Sequence, residues 1–309
     1  MGDTAFLFPG QGSQSVGMLA GLAEEYAGIR ETFEEASSVL GYDLWRLCQE
    51  GPAEDLNRTE TTQPAMLAAG VATWRVWLEQ GGETPTWMAG HSLGEYSALV
   101  AAGAMDFRDA VATVAERGRL MQAATPEGTG AMAAVLGLED GILESICAKA
   151  AEGEVVSCAN FNAPGQVVIA GNTAAVQRAC DLARAQGARR AIELPVSVPS
   201  HCDLMKPAAE RLGGVLYELE FRPPMVPVVH NVDVGVHAGA EEVRDALSRQ
   251  LWQPVRWTET IAHLIDNGVT RFVECGPGKV LAGLNRRIDR TPEVFALTDG
   301  AAVAKALGT

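Results

Sequence analysis

The sequence predicts an α/β protein with a mainly parallel sheet and a smaller α+β subdomain inserted into it. One observation behind this is that short apolar strands alternate with helices up to residue 126. Another is that residues 127–199 divide into the order β-α-β-β-α-β, which is typical of ferredoxin-like units. We therefore expect a larger α/β-hydrolase-like domain, formed by residues 1–126 and 200–309, and a ferredoxin-like subdomain formed by 127–199.

Individual elements follow from hydrophobic periodicity and from turn residues. In the larger domain, strands are predicted at residues 4–8, 85–89, 226–229 and 271–274, and helices at 16–26, 29–40, 64–80, 95–102, 107–124, 241–251, 258–266 and 280–288. In the inserted segment, strands are predicted at residues 131–136, 155–159, 167–170 and 188–194, and helices at 140–151 and 174–186. Asp106 is expected to cap the 107–124 helix. Ligands of such sheets bind at the carboxyl ends of the strands, so we expect the site there.

Composition and charge argue against several classes of protein. The chain has 309 residues and a formal net charge of −15, whereas a nucleic-acid partner requires a basic surface. No apolar run approaches the roughly 20 residues that cross a bilayer, and no signal-peptide core is found, so we expect a cytoplasmic protein without a membrane partner. The six cysteines form no C-x-x-C pair and are expected to be reduced core residues. No metal site is predicted.

The segment Gly90-His91-Ser92-Leu93-Gly94 places a serine between two glycines at the spacing of a nucleophile elbow. A strand is predicted before it and a helix after it, which is the context that such an elbow needs. The glycines permit a tight turn, and the helix N-terminus offers free N–H groups to a developing oxyanion. This pattern predicts acyl transfer through the serine. An ordinary glycine-rich turn with a solvated serine is the alternative.

The serine needs a base to take its proton, and the chain has five histidines. His91 adjoins the serine, and a neighbour in that position is expected to point away from it. His230, His237 and His263 are expected to be surface or packing residues. His201 lies where the inserted segment returns to the main sheet, at the place where a cleft between the two parts would close. We take it as the candidate base, with a structural role in this crossover as the alternative.

The group that orients the histidine is left open by the sequence. One possible orienting group is an acid that lies between the serine and the histidine in chain order. The candidates are Asp106, Asp109, Asp140 and Asp181. None of them has a distinctive context. A backbone carbonyl can hold the same tautomer without adding a negative charge.

Arg117 flanks the apolar face of the 107–124 helix, whereas Arg119 is expected to be exposed. A guanidinium in a cleft suits a carboxylate, because its planar fork donates two parallel hydrogen bonds. The alternative interpretation is that Arg117 forms a surface or intrahelical ion pair.

Two glycine-rich loops do not match nucleotide-binding fingerprints. The loop of residues 10–14 lacks the G-x-G-x-x-G spacing, and residues 276–280 lack the spacing and the hydroxyl residue of a P-loop. The first loop is better placed to bring a backbone N–H group beside the serine elbow, which would complete a two-donor oxyanion hole.

Taken together, several separated motifs closely resemble those of bacterial malonyl-CoA:acyl carrier protein transacylases of fatty acid synthesis. The motifs are FPGQGSQ at 8–14, QPA at 63–65, GHSLGEYSA at 90–98, the helix that carries Arg117, NFNAPGQ at 160–166, VPSH at 198–201, and Gln250 with PV at 254–255. The resemblance runs nearly end to end. It implies that Ser92 is the nucleophile, that His201 is the general acid and base, and that Arg117 binds the malonyl carboxylate.

The resemblance also implies the roles of the surrounding residues. The N–H groups of Gln11 and Leu93 are expected to form the oxyanion hole, and the main-chain carbonyl of Gln250 is expected to orient the base. Further substrate contacts are expected from Asn160, Asn162 and His91.

The expected reaction is transfer of malonyl from malonyl-CoA to the phosphopantetheine thiol of acyl carrier protein, through a malonyl-serine ester. No cofactor is expected, since coenzyme A and the phosphopantetheine arm are substrates, and nothing demands more than a monomer. A serine hydrolase or thioesterase would share the serine and the histidine. A non-catalytic scaffold that binds the carrier would need neither. A candidate docking surface for an acidic carrier is the basic cluster of Lys279, Arg286, Arg287 and Arg290.

Overall fold

The computed structural model describes residues 3–126, 128–196 and 198–308. These residues form a five-stranded parallel sheet and a separate four-stranded antiparallel sheet. The predicted fold class, a mixed α/β protein with a second small sheet, is therefore confirmed. The predicted boundary at residue 127 lies outside the described residues, and the division into domains stays a prediction.

The chain order of the elements shows how helices alternate with strands. The strands are β1 (Asp3–Phe8), β2 (Trp87–Gly90), β3 (Gly130–Leu136), β4 (Val156–Ala163), β5 (Gln166–Asn172), β6 (Arg190–Glu193), β7 (Val228–Val229), β8 (Val269–Glu274) and β9 (Glu293–Ala296). The helices are α1 (Ala20–Glu25), α2 (Ala27–Leu40), α3 (Leu44–Glu50), α4 (Ala53–Leu56), α5 (Thr59–Glu79), α6 (Gly94–Ala101), α7 (Phe107–Ala124), α8 (Asp140–Ala150), α9 (Thr173–Ala185), α10 (Lys206–Tyr217), α11 (Ala240–Gln250), α12 (Trp257–Asp266), α13 (Val280–Ile288) and α14 (Gly300–Leu307). A short 3₁₀ helix, Asp203–Met205, precedes α10.

The parallel sheet has the strand order β7-β2-β1-β8-β9. Phe8 pairs with Gly90 and Leu7 pairs with Glu274, so the three central strands end at the same edge of the sheet. The loops that follow these strands are therefore neighbours. This edge is where the functional site was expected.

The small sheet has the order β4-β5-β3-β6, and each of its neighbouring pairs is antiparallel. With α8 between β3 and β4 and α9 between β5 and β6, it has the β-α-β-β-α-β order predicted for the insert. Apolar residues on one face of the sheet, such as Ala133 and Ile169, pack with Leu143 and Val176 of the two helices. The small sheet therefore has a hydrophobic core of its own.

Helix α7 lies against the long, buried helix α5. A Cβ atom on Gly118 would lie only 2.6 Å from the Cα atom of Glu60, so glycine permits this close approach. The contact brings Arg117 of α7 beside Gln63 of α5. The prediction that α7 covers residues 107–124 with Asp106 as its cap is correct, since Asp106 accepts hydrogen bonds from two N–H groups of the first turn.

Two predicted helices have wrong starting points. Helix α1 begins at Ala20 rather than near residue 16, because Gly17 and Leu19 have left-handed φ angles of 85° and 61°. Helix α5 begins at Thr59, five residues before its predicted start, and includes Pro64. A proline in the second turn removes one N–H donor, and packing of the buried helix compensates for this loss.

The sequence patterns missed several elements altogether. These are α3, α4, α10, α14 and β9. Helix α10 contains Gly213 and Gly214, which lower its intrinsic helix propensity, but it buries Leu212 and Leu216 in the core. Tertiary packing therefore stabilises this helix despite its low intrinsic propensity.

The described residues also bear on membranes and metals. Within them, no helix is long and apolar enough to cross a bilayer. The six cysteines are buried free thiols. No group of three or more potential metal-ligating side chains occurs in the described ranges, and the expectation that no metal takes part stays a prediction.

The junction between β2 and α6 depends on two glycines. A Cβ atom on Gly90 would lie 1.9 Å from the carbonyl carbon of Gly94, and one on Gly94 would lie 2.0 Å from the carbonyl oxygen of Phe8. We predict that Gly90→Ala lowers the free energy of unfolding by about 1–3 kcal/mol, measured by urea denaturation, because backbone must move. Gly214→Ala is the matched control: its site in α10 is open, so that variant should be neutral or slightly more stable. Equal stability of both variants would contradict the close approach.

Candidate active site

Ser92 lies in the tight turn between β2 and α6. Its φ angle is 51°, a left-handed conformation that is strained for serine. The backbone N–H of Ser92 donates to Asn231 Oδ1 at 2.7 Å, and its carbonyl oxygen accepts from Gln250 Nε2 at 3.0 Å. Residues from distant parts of the chain therefore stabilise the strained turn.

His201 lies beside this serine. Its Nε2 atom is 2.8 Å from Ser92 Oγ, and its Nδ1 atom is 2.7 Å from the carbonyl oxygen of Gln250. Because a carbonyl can only accept, Nδ1 carries the proton and Nε2 is free to accept the serine hydroxyl. The arrangement is that of a serine nucleophile with an oriented base.

Residue spacing left the orienting group open, whereas the resemblance implied the main-chain carbonyl of Gln250. The group beside Nδ1 is this carbonyl and not an acid. Asp106 caps α7, and Asp181 forms a surface ion pair with Arg184. Asp109 and Asp140 lie in the first turns of α7 and α8. None of these four acids is among the hydrogen-bond partners of His201 in the described residues.

The imidazole of His201 is only 3% exposed. Burial, and then the positive charge of Arg117, lower the pKa of His201 from its usual value to about 3. The ring is therefore neutral at neutral pH, which is the state that a base requires.

Arg117 is buried on the other side of the serine. Its Nη1 atom donates to Gln63 Oε1 at 2.7 Å, and its Nη2 atom donates to Gln250 Oε1 at 3.0 Å and to Ser92 Oγ at 3.4 Å. No carboxylate is among its hydrogen-bond partners within the described residues, which excludes the alternative of a surface ion pair. Arg119, in contrast, is exposed and pairs with Glu116.

Gln11 and Leu93, whose N–H groups are predicted to form an oxyanion hole, line the same cleft as Ser92 and His201. The loop after β1 packs so closely on the elbow that a Cβ atom on Gly10 would lie 2.4 Å from the carbonyl oxygen of His91 and 3.7 Å from the nitrogen of Leu93. In the described part of the chain, the N–H groups of Gln11 and Leu93 donate no backbone hydrogen bond. Leu93 precedes the first turn of α6, so its N–H group points out of a helix N-terminus.

These groups open into a cleft of about 220 Å³ between the two sheets. Its apolar walls come from the small sheet and from α13, and they include Met132, Val168, Leu194, Val280, Leu281 and Leu284. Asn160, Asn162 and His91 also line the cleft. His91 Nε2 lies 2.7 Å from Asn162 Oδ1, so two of the predicted contacts already pair with each other.

Sequence reasoning missed four buried polar residues around this site. They are Gln63, Glu95, His230 and Asn231, each at most 1% exposed. The interpretation of His230 as a packing residue overlooked its 2.7 Å contact with Glu95. Asn231 follows the short strand β7 at the functional edge of the sheet, a position that could have marked it. Gln63 and Glu95 lie in the motifs at 63–65 and 90–98, and Gln63 is also a polar side chain in an apolar helix, but neither residue was given a role.

The site defines an acyltransferase class, and comparison with known sequences agrees. The family model described as "Acyl transferase domain" matches residues 5–306, and the chain belongs to this family.

Within the family, the chain is similar to malonyl CoA-acyl carrier protein transacylases. The one from Escherichia coli K12 is 58% identical over 307 residues, which cover 99% of each chain. The crystal structure of an acyl carrier protein S-malonyltransferase from Vibrio cholerae has a TM-score of 0.96 at 58% identity, covering 98% of this chain and 99% of that one. A malonyl-transacylase in complex with its type II PKS acyl-carrier protein has a TM-score of 0.98 at 56% identity, with 99% of each chain covered.

The buried, neutral state of His201 makes the stability of the protein depend on pH. Because its pKa is lower in the folded than in the unfolded protein, the unfolded chain binds more protons, and stability falls as the pH drops below about 6.5. We predict that His201 accounts for about 2 kcal/mol of the stability lost between pH 8 and pH 5. Urea unfolding of His201→Gln should show a correspondingly smaller loss.

Ser92→Ala is the control for this measurement, because it removes the hydroxyl and leaves the imidazole buried. It should keep the pH dependence of the unmodified protein. An unchanged pH dependence in His201→Gln would show that the ring is not held neutral.

Proposed function

We propose that this protein transfers malonyl from malonyl-CoA to the phosphopantetheine thiol of acyl carrier protein, through a malonyl ester of Ser92. The observation that carries the proposal is the buried guanidinium of Arg117, which has no carboxylate among its hydrogen-bond partners in the described part of the chain and whose Nη2 atom is 3.4 Å from the serine hydroxyl. A malonyl thioester carries a carboxylate that a single methylene group separates from its reacting carbonyl. Arg117 and Ser92 can therefore bind its two ends at once.

In the first half-reaction, His201 Nε2 takes the hydroxyl proton as Ser92 Oγ attacks the thioester carbonyl. The N–H groups of Gln11 and Leu93 donate to the oxyanion. The carbon–sulfur bond then breaks, His201 returns the proton to the sulfur, and coenzyme A leaves as a thiol. The carbonyl of Gln250 stabilises the imidazolium that forms between these steps.

The second half-reaction uses the same groups in reverse. The carrier's thiol gives its proton to His201 and attacks the malonyl-serine ester, and the serine hydroxyl is restored as the malonyl-carrier thioester leaves. One cleft serves both steps because both thiols end the same kind of pantetheine arm. The two substrates account for every atom and proton in these steps, so we propose a reaction without a cofactor or a metal.

Binding of the malonyl carboxylate also assists the base. The positive charge of Arg117 is one of the causes that lower the pKa of His201. A carboxylate on the guanidinium offsets this charge, so the imidazole becomes a stronger base when the correct substrate is bound. An acetyl group offers no such compensation and leaves the guanidinium without an anion.

Other expected contacts complete the proposal. Asn160, Asn162 and His91 line the cleft and offer polar groups to the pantetheine arm. The basic cluster of Lys279, Arg286, Arg287 and Arg290 lies on and beside α13, whose first turn lines the same cleft, and the three arginines are suited to an acidic carrier. We propose a monomer that works in the cytoplasm, a location that fits six unpaired buried thiols.

A hydrolase is the alternative that shares the serine and the histidine. It differs by admitting water to the ester, and its reaction does not require a buried cation beside the nucleophile. Incubation with malonyl-CoA and carrier separates the two functions, since a hydrolase releases free malonate and a transferase loads the carrier.

The first test of this function is the covalent intermediate. We predict that malonyl-CoA gives a malonylated protein by intact mass spectrometry, and that Ser92→Ala abolishes it. Ser97→Ala is the matched control, because Ser97 is a buried serine on the adjoining helix whose hydroxyl has no described partner. Malonylation that persists in Ser92→Ala would disprove the assignment of the nucleophile.

The second test concerns the choice of acyl group. We predict that Arg117→Ala lowers kcat/KM for malonyl transfer by roughly 30- to 5,000-fold, the effect of about 2–5 kcal/mol that follows loss of a buried charged partner. Acetyl transfer should fall far less, because acetyl makes no contact with the guanidinium.

The matched control is Arg119→Ala, which removes an exposed arginine from the same helix. It should change neither rate by more than about twofold. Equal losses of malonyl and acetyl transfer in Arg117→Ala would rule out the carboxylate-binding role.

A further inference from the structure

Glu95 is a fully buried carboxylate that the mechanism above does not use. It lies in the first turn of α6, directly after the elbow. Its Oε1 atom is 2.7 Å from His230 Nδ1. Its Oε2 atom accepts hydrogen bonds at 2.9 Å from the backbone N–H of Asn231 and from Gln250 Nε2. A carboxylate without water is costly, so this site must depend on its partners.

Two contacts together decide which way the side-chain amide of Gln250 faces. Its Nε2 atom donates to Glu95 Oε2 at 2.9 Å and to the carbonyl oxygen of Ser92 at 3.0 Å, so the amide group on this side is the donor. The amide oxygen then faces the other way and accepts from Arg117 Nη2 at 3.0 Å. If the amide were turned over, two donors would face each other at Arg117.

The carboxylate also acts on Arg117 through its charge. Burial lowers the pKa of Arg117, whereas Tyr96 and, after it, the negative charge of Glu95 act in the opposite direction and favour the protonated guanidinium. Within the described residues, the hydrogen-bond partners of Arg117 are neutral. Glu95 therefore supplies a fixed anion near the guanidinium without occupying the face that meets the substrate.

We propose that Glu95 is a positioning residue for substrate choice, which acts through the amide of Gln250 to hold Arg117 ready for the malonyl carboxylate. This inference rests on the proposed function and adds to it. Glu95 does not touch the substrate. It orients the amide, the amide orients the guanidinium, and the guanidinium selects malonyl over acyl groups without a carboxylate.

The test is Glu95→Gln, which keeps the shape of the side chain and removes its charge. The new amide can accept or donate, so the amide of Gln250 loses one of the two acceptors that hold it and keeps only the carbonyl oxygen of Ser92. We expect the ratio of malonyl to acetyl acylation of Ser92, measured as kcat/KM by quenched mass spectrometry, to fall at least tenfold, with KM for malonyl-CoA raised. An equal loss for both acyl groups would reduce Glu95 to a structural residue and overturn the proposal.

A second variant keeps the proposal testable if Glu95→Gln does not fold. Gln250→Ala removes the amide between Glu95 and Arg117 but leaves the backbone carbonyl that orients His201. It should lower the same ratio at least tenfold. A ratio that stays within twofold of the unmodified protein would overturn the route through the amide.

A double-variant cycle tests whether Glu95 acts through Arg117. In the Arg117→Ala background, adding Glu95→Gln should change the malonyl to acetyl ratio by less than threefold, because the group through which it acts is gone. Independent, multiplicative effects would contradict the proposal.

Glu274→Gln is the matched control for the loss of a buried carboxylate. Glu274 is 1% exposed and accepts N–H groups of Leu281 and Ala282 at the start of α13, away from Gln250 and Arg117. The malonyl to acetyl ratio should stay within twofold in this variant, and a tenfold fall would overturn the specific role of Glu95. Failure of the proposed function would look different, since the unmodified protein would then either form no malonyl-serine or release free malonate without loading the carrier.

Discussion

The buried positive charge of Arg117 is the constraint to which the rest of the active site responds. A guanidinium away from water must find acceptors, and Gln63 and Gln250 supply neutral ones. These neutral acceptors bind its Nη1 and Nη2 atoms without cancelling its charge, and its buried Nε atom has no hydrogen-bond partner among the described residues. The fold thus keeps a full positive charge beside the serine hydroxyl, and the carboxylate that compensates it best is one carried by a substrate.

Close backbone approach is the second requirement of the site. Loops after β1, β2 and β7 meet at one edge of the parallel sheet, and glycines at positions 10, 90 and 94 leave room for this contact. The strained serine is stabilised by side chains 139 and 158 residues further along the chain. A local turn sequence can permit the left-handed serine, but only the folded sheet edge provides the partners that hold it.

Elements with strong local signals were predicted well. Helix α7 matches its predicted bounds, because an aspartate cap and a regular apolar face both lie within its own residues. The start of α1 was misplaced because two left-handed residues before it carry no clear signal, and one of them is a leucine. Helix α10 was missed because burial against its neighbours outweighs its two glycines. Local patterns report propensity, and long-range packing overrides it.

The sequence alone determined the types of groups and the local turns: a serine in an elbow, a histidine at a crossover, an arginine flanking an apolar face. These follow from spacing along the chain, because local backbone geometry sets the direction in which each side chain points. Tertiary structure decided what spacing along the chain left open, namely that a carbonyl lies against His201 and that Arg117 has neutral partners. It also decided that Glu95, His230 and Asn231 surround the elbow. Such contacts join residues far apart in the chain. The sequence around each buried polar residue therefore does not indicate its partner.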